Sequence, residues 1–226
     1  MAKDFIIDLE TLGSRPDSIV VDISVVVFDS DPTVVQSFND LCNAGRRFKL
    51  DLKSQRGTRT TMASTIAWWK EQDEAAKKNL KASPEDLTVE EAIPQLLDYL
   101  KKSGVNAWKS QGWCRGMSFD FPILVDMIRQ TFKTDVTEDF EPVKFWAQRD
   151  IRTAIESLAL TRGLSMTPLR NGVLTGFVAH DSIHDCAKDV IMLKTAQRYA
   201  LGLETMPEPE DTDLRQLRSG DRHDPY

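Results

Sequence analysis

The sequence lacks the cysteine pattern of a disulfide-stabilised or zinc-binding protein. It has three cysteines, which are far apart and form no Cys-x-x-Cys pair: Cys42, Cys114 and Cys186. Such an odd, scattered set predicts neither a disulfide framework nor a zinc site, and it is typical of a reducing compartment. No apolar run is long enough to cross a membrane, and no signal peptide precedes the first strand. We therefore expect a soluble, cytoplasmic protein with no membrane partner.

Positive charge is also scarce relative to negative charge. The 226 residues carry 29 Lys and Arg against 35 Asp and Glu, a net charge of -6 at pH 7. This balance argues against a general nucleic-acid coat protein, although an enzyme can still hold phosphates locally or through metal ions. Neither a glycine-rich phosphate loop nor an internal repeat is present. The length and the 41% hydrophobic content predict one domain over residues 1–203 and a polar, mobile tail over residues 204–226.

Strand and helix patterns alternate along the chain. Runs of β-branched and aromatic residues predict strands, and apolar residues every three or four positions predict helices. The predicted strands cover residues 5–7, 19–28, 34–41, 109–115 and 141–146, with the third antiparallel to the second. The predicted helices cover residues 66–80, 85–102, 119–132, 150–160 and 179–203. This order predicts an α/β domain in which helices flank a mixed central sheet.

Two carboxylates end the first strand. Asp8 and Glu10 follow the apolar run 5–7, and residues two apart in a strand lie on the same face. Two acids on one face repel each other unless a cation lies between them, and hard divalent cations prefer carboxylate oxygens. An isolated Asp-x-Glu is more often a solvated strand end, so the metal interpretation depends on further acids elsewhere in the chain.

Further acids stand at the ends of later elements. Asp120 lies where the strand at 109–115 gives way to a helix. In the last helix Asp181, Asp185 and Asp189 recur every four residues on one face. Apolar residues continue that face and turn it toward the core, where a carboxylate needs a partner. A solvated acidic stripe is the alternative interpretation.

These groups together resemble the motifs of the DEDDh family of 3′–5′ exonucleases, which have an RNase H-like (DnaQ-like) fold. The motifs are, in chain order, Asp8-x-Glu10-Thr11-x-Gly13, then Ser118-Phe119-Asp120, then His180 followed by Asp185. The stretches over residues 109–126 and 177–189 are similar to the exonuclease A group of T-even bacteriophages.

The resemblance implies a complete catalytic set. Asp8, Glu10, Asp120 and Asp185 would bind two divalent cations, Mg²⁺ or Mn²⁺, and His180 would be the general base. It also implies that four residues contact the terminal nucleotide of the substrate: Thr11, Leu12, Trp69 and Phe119.

The implied activity is that of a metal-dependent 3′–5′ exodeoxyribonuclease. It would degrade single-stranded DNA from its 3′ end to nucleoside 5′-monophosphates, in the host-cell cytoplasm if a phage encodes it. An exoribonuclease of the same fold is the alternative, because the motifs serve both and nothing in the sequence identifies a contact to the 2′-hydroxyl. A non-catalytic nucleic-acid-binding module is a third hypothesis. Such a module would normally lack one of the five residues, and all five are present.

Several assignments stay open at this level. The H-x(4)-D spacing favours His180 over His184 as the base, and Asp189 is the runner-up ligand. Trp68 and Trp69 point about 100° apart on a helix, so we expect one in the core and one free to stack on a base.

Other polar residues have a structural and a functional interpretation. Asp22, inside the second strand, either faces solvent or forms a hydrogen bond nearby, and Asp126 is not expected to be a ligand. Asp150 is a candidate helix cap, and Arg149 and Arg152 beside it either belong to that helix start or contact phosphates. A basic segment is either a solvated loop or a phosphate-contacting loop; its cations are Arg46, Arg47, Lys49, Lys53, Arg56 and Arg59.

Overall fold

The computed structural model describes residues 3–72, 74, 76–160 and 166–213, and in these ranges the chain forms five strands and six α-helices. The strands are β1 (Lys3–Thr11), β2 (Val20–Asp29), β3 (Arg46–Lys49), β4 (Gly112–Cys114) and β5 (Gln148–Asp150). The helices are α1 (Phe38–Ala44), α2 (Ala63–Glu71), α3 (Val89–Lys102), α4 (Asp120–Phe132), α5 (Ile151–Ala159) and α6 (Ser182–Ala200). Short 3₁₀ helices cover Ala76–Leu80, Phe145–Ala147 and Pro209–Asp211.

The five strands form one mixed sheet in the order β3-β2-β1-β4-β5. β1 pairs antiparallel with β2, which pairs antiparallel with β3. On the other side β1 pairs parallel with β4, and β4 pairs parallel with β5. The predicted α/β class with a mixed central sheet is confirmed.

The central strand β1 is buried on both faces. Phe5, Ile7 and Leu9 belong to a core that includes the apolar residues of α3 and α4. Ile6 belongs to a second core, built with apolar residues of α1, α5 and α6. Because side chains two apart share a face, Asp8 and Glu10 lie on the Ile6 side of the sheet, the side that α6 covers.

The prediction of a third strand over residues 34–41 is wrong. The chain there enters helix α1, and the third strand is β3, at Arg46–Lys49. A capping box decides the conformation, since the Ser37 hydroxyl accepts from the Asp40 N–H while the Asp40 carboxylate accepts from the Ser37 N–H. The Ser-x-x-Asp sequence is the local signal for a helix start. The strand prediction gave more weight to the β-branched residues that precede it.

Other boundaries also moved. The prediction of a strand at 141–146 is wrong, because those residues lead into the 3₁₀ helix Phe145–Ala147, and β5 follows it at Gln148–Asp150. The helix predicted from 85 begins after Thr88, where a capping box with Glu91 fixes its start. The helix predicted from 66 begins earlier, at Ala63, and α6 begins at Ser182 rather than at 179.

Part of the predicted tail contacts the domain. The Asp213 N–H donates to the Leu169 carbonyl at 2.8 Å, and Asp213 is 3% exposed. Arg170 and Asp211 form an ion pair at 3.1 Å. Residues 204–213 therefore pack against the loop before α6, and residues 214–226 lie outside the described residues. Within the described ranges, no helix combines the length and the apolar character that a membrane span requires.

Candidate active site

The first two acids stand near the end of β1, where the sheet pairing changes. Asp8 lies opposite Ser24 and Glu10 lies opposite Asp22 on β2, and the register shifts directly after Glu10. Both side chains are partly exposed, unlike the apolar neighbours that alternate with them. The strand therefore brings two carboxylates to one partly open place.

Asp120 reaches the same place from β4. This strand runs parallel to β1, and a short turn after it leads to Asp120, the first residue of α4. The Leu9 N–H, between Asp8 and Glu10, donates to Asp120 Oδ1 at 3.1 Å, and Asp120 is 3% exposed. The ends of two adjacent parallel strands thus bring three carboxylates to the same edge of the sheet.

The first turn of α6 adds Asp185 and His180. Asp181 is the N-cap, and its carboxylate accepts from the N–H groups of Ile183 and His184. His180, just before the cap, has φ of 60°, a left-handed conformation that is uncommon outside glycine and asparagine. Its N–H donates to the Asp185 carboxylate. The turn therefore holds the proposed base beside the proposed ligand.

Burial raises the pKa of all four carboxyl groups, and neighbouring acids raise it further. For Asp8, loss of hydration is the largest cause, followed by the charges of Glu10, Asp120 and Asp185. Loss of hydration, with Asp22 as the strongest neighbouring charge, raises the pKa of Glu10 to about 8. Burial likewise raises the pKa of Asp120 to about 7 and that of Asp185 to about 7. The four groups thus lie within reach of each other's charge, and a cation among them would relieve the repulsion.

Asp22 is a fifth acid in this region. It is fully buried, and the Ser182 hydroxyl donates to its Oδ1 at 2.6 Å. Of the two interpretations for Asp22, the structure supports the hydrogen-bonded one. Sequence reasoning noticed the anomaly of an acid inside an apolar strand but did not find its partners, Ser182 and Arg47, because they are distant in sequence.

The competing assignments separate clearly. Asp189 forms a two-pronged ion pair with Arg115, at 2.9 Å to Nε and 2.7 Å to Nη2. His184 accepts the Val178 N–H on Nδ1 at 3.0 Å, and its ring meets Phe38 edge-on. Both side chains thus have structural partners, and the choice of Asp185 and His180 stays a prediction. Asp126 pairs with Arg59 at 3.0 Å, as expected for a residue that is not a ligand.

The two tryptophans divide as expected into one buried and one exposed side chain, but the buried one is Trp69, which was assigned to the substrate. Trp69 is 4% exposed, and its Nε1 donates to the Thr11 carbonyl at 2.8 Å. Trp68 is 41% exposed, and its ring lies 5.5 Å from the His180 ring in an edge-on arrangement. The burial of Trp69 argues against its assignment as a stacking residue, and Trp68 is the one that can stack on a base.

The remaining predicted substrate residues lie around β1 and the start of α4. The Thr11 hydroxyl is buried and donates to the Gly13 carbonyl at 2.6 Å, so it is already hydrogen-bonded within the chain. Leu12 and Phe119 are partly exposed. Their contact with a nucleotide stays a prediction.

Most cations of the basic segment have internal partners. Arg59 donates to the Ser18 carbonyl and to Asp126, and Lys49 pairs with Asp86 at 2.9 Å. Arg46 lies over the Phe48 and Tyr99 rings, and Arg47 pairs with Asp181. Lys53, Arg56 and Arg46 are exposed, and of these Arg46 also lies against aromatic rings. At the start of α5, Asp150 caps the helix by accepting from Thr153, as predicted.

The donor set fits a divalent metal in its chemistry. Four carboxylates supply hard oxygen ligands, and burial together with neighbouring acids raises the pKa of each. In the described part of the chain, no group of three or more His, Cys, Asp or Glu side chains could hold a metal ion as it stands. The fit therefore rests on chemistry and charge rather than on a preformed cage.

Comparison with known proteins identifies the family. Residues 3–197 match the family model described as the 3′–5′ exoribonuclease Rv2179c-like domain. The chain belongs to this family. A curated relative of the Rv2179c-like chain is the exodeoxyribonuclease of Enterobacteria phage T4, which is 52% identical over 217 residues, 93% of this chain and 96% of the relative. The chain is thus a 3′–5′ exonuclease.

Solved structures show the fold. The complex of E. coli exonuclease I with single-stranded DNA and zinc matches 90% of this Rv2179c-like chain with a TM-score of 0.56 and 12% identity. Exonuclease I from Methylocaldum szegediense matches 88% of it with a TM-score of 0.55 and 10% identity. This chain covers only 42% and 41% of those two proteins. The predicted RNase H-like, DnaQ-like fold is confirmed.

Proposed function

We propose that the protein is a metal-dependent 3′–5′ exodeoxyribonuclease that degrades single-stranded DNA to nucleoside 5′-monophosphates. The convergence of Asp8, Glu10, Asp120 and Asp185 on the end of β1, with His180 beside Asp185, carries the proposal. A frayed or single-stranded 3′ end can enter a partly buried acid cluster, whereas a stacked duplex cannot.

The four carboxylates would hold two divalent cations, Mg²⁺ or Mn²⁺. When bound, these cations supply charge neutralisation and polarise the phosphate for in-line displacement. Raised carboxyl pKa values support this role. Ionising several carboxyl groups at one place is unfavourable, and bound cations would offset that repulsion.

His180 would accept the proton of the attacking water. The water oxygen forms a bond to the terminal phosphorus, the bond from phosphorus to the preceding 3′-oxygen breaks, and that oxygen leaves with a proton from solvent. A nucleoside 5′-monophosphate and a strand one nucleotide shorter result. An imidazole, whose ordinary pKa is about 6.5, suits proton transfer at neutral pH. The loop position of His180, outside α6, allows the ring to move toward the water.

The surface beside His180 would hold the terminal nucleotide. Trp68 presents an exposed ring next to this histidine, and bases stack on such rings with little sequence preference. Leu12 and Phe119 are partly exposed and would complete the contact. The buried Trp69 would support this surface through the hydrogen bond from its Nε1 to the Thr11 carbonyl.

The relatives favour DNA over RNA. The T4 relative, 52% identical over nearly its full length, is named an exodeoxyribonuclease. The family description names an exoribonuclease, which makes RNA the second candidate substrate. The hydroxyl of Thr11 donates to Gly13, so it does not offer its proton to a ribose 2′-hydroxyl. We therefore place DNA first.

A matched pair of 5′-labelled DNA and RNA oligonucleotides tests this proposal. With Mg²⁺ we expect a ladder of shortened, still labelled DNA, and with EDTA no cleavage. Asp8→Asn should abolish the ladder, and Asp98→Asn, a change at an exposed helical position, is the matched control that should leave it intact.

Each alternative has its own result in this experiment. Early release of a labelled mononucleotide would contradict the 3′–5′ polarity. Cleavage in EDTA would contradict metal dependence. Faster digestion of RNA than of DNA would replace the first substrate by the second candidate.

A further inference from the structure

Arg47 lies in line with the acid cluster across three strands. Ser24 on β2 is paired with Asp8 on β1 and with Arg47 on β3. Paired residues of antiparallel strands point to the same face, so Arg47 emerges on the face that carries Asp8 and that α6 covers. Its neighbour Arg46 points to the other face and lies over Phe48 and Tyr99.

The guanidinium of Arg47 connects two carboxylates from different elements. Its Nη2 donates to Asp181 Oδ1 at 2.5 Å, and its Nε lies 3.8 Å from Asp22 Oδ1. Asp22 is fully buried in β2, and Asp181 is the N-cap of α6. Arg47 therefore joins β2, the strand whose Asp22 pairs with Glu10, to Asp181, the residue that follows His180 in the chain.

Small residues continue this connection into the first turn of α6. The Ser182 hydroxyl donates to Asp22 at 2.6 Å and lies 2.8 Å from the Ser24 hydroxyl. The close approach extends to Gly45, where an added Cβ would lie 2.7 Å from the Ile183 side chain. The turn that carries Asp185 is thus seated directly on the strands that carry the other acids.

We infer that Arg47 is a positioning residue, which rests on the proposed function of the acid cluster. It holds Asp181 against Asp22 and so fixes the loop of His180 and the first turn of α6 relative to Asp8 and Glu10. This positioning role does not require Arg47 to contact the substrate. Reacting groups must be held within a fraction of an ångström, so a displaced α6 start lowers the rate of the chemical step more than it lowers binding.

The inference is tested by measuring the steady-state hydrolysis of a single-stranded DNA oligonucleotide by Arg47→Met. Arg46→Met, on the same strand, is the matched control. We expect kcat of Arg47→Met to fall about 10- to 100-fold. Its KM should stay within about twofold of wild type, because the change leaves uniform substrate binding untouched. Both kcat and KM of the control Arg46→Met should also stay within about twofold of wild type.

Two milder variants keep the test decisive if Arg47→Met does not fold, as judged by circular dichroism. Arg47→Lys keeps the charge but lacks the planar fork that reaches two carboxylates. Asp181→Asn keeps the helix cap, because Asn caps as well as Asp, but weakens the ion pair. Both should lower kcat, and the double variant should lose less than the product of the single effects.

Three results would overturn the inference. One is a folded Arg47→Met enzyme with wild-type kcat. Another is a loss confined to KM with a salt slope reduced by about one, which identifies a phosphate contact instead. The third is full additivity of Arg47→Lys and Asp181→Asn. An inactive wild-type enzyme would contradict the proposed function and is distinguished from all three, because it precedes any comparison of variants.

Discussion

Glu10→Gln should change the pH dependence of stability of the metal-free protein. Burial and the neighbouring acids raise the pKa of Glu10 from 4.5 to about 8. The folded state therefore binds this proton more tightly than the unfolded chain does. Its stabilising effect is full below pH 4.5 and is lost as the pH rises toward 8, because the folded protein must then carry the buried charge.

The size of the effect follows from this shift. One pKa unit corresponds to ~1.4 kcal/mol, so the change in the Glu10 pKa from 4.5 to about 8 sets a ceiling of ~5 kcal/mol for Glu10 alone. The side chain is partly exposed, and the charges of Asp22, Asp185 and Asp120 that act on it also change with pH, so solvent screening and coupling reduce the measurable part to ~2 kcal/mol. Gln has nearly the same shape as Glu but carries no charge, so the variant should not lose this stability as the pH rises.

Urea unfolding in EDTA at pH 5 and pH 8 measures the difference. Wild type should lose stability between the two pH values, and Glu10→Gln should lose ~2 kcal/mol less. Adding Mn²⁺ at pH 8 should restore the wild type and stabilise Glu10→Gln less, since a ligand stabilises only the state that binds it. The exposed Glu138→Gln is the matched control and should follow the wild type.

One result would refute the reasoning. If Glu10→Gln and wild type lose the same stability between pH 5 and pH 8 in EDTA, the carboxylate is not held in a repulsive, poorly hydrated cluster. The metal assignment would then lose its electrostatic support.

Three further predictions concern the same site. Asp185→Ala should abolish hydrolysis and weaken Mn²⁺ binding, measured by calorimetry, while circular dichroism stays native; wild-type activity would remove Asp185 from the site. His180→Asn should keep Mn²⁺ affinity and lose about 10²- to 10⁴-fold in kcat, because Asn accepts the left-handed backbone but cannot take the proton; an unchanged pH–rate profile in the residual activity would exclude His180 as base. Trp69→Phe should cost ~1–2 kcal/mol of stability through the lost bond to Thr11, whereas Trp68→Ala should raise KM at little cost in stability; the reverse pattern in unfolding and kinetic data would return the stacking role to Trp69.

Most of the elements were predictable because their signals are local, whereas the proposed ligand set came from the resemblance of three motifs to those of an exonuclease family. Asp8 and Glu10 share a face through the two-residue period of a strand. The helical period predicted Asp181 on one face with Asp185, but Asp181 precedes α6 as its N-cap. Asp150 was predictable as a cap from its position before an apolar periodic run. Helix α1 was missed although its capping box is equally local, since β-branched residues before Ser37 favoured a strand.

The sequence by itself determined the α/β class, the order of the elements and the five residues proposed for catalysis. Only the tertiary structure decided which tryptophan is buried, that His184 accepts from the Val178 N–H, and that Arg47 and Ser182 meet Asp22. These facts depend on which strands pair and on which helix face meets the sheet. Such pairings join residues more than a hundred positions apart, as in the bond from Ser182 to Asp22, and no periodicity within a short window carries that information.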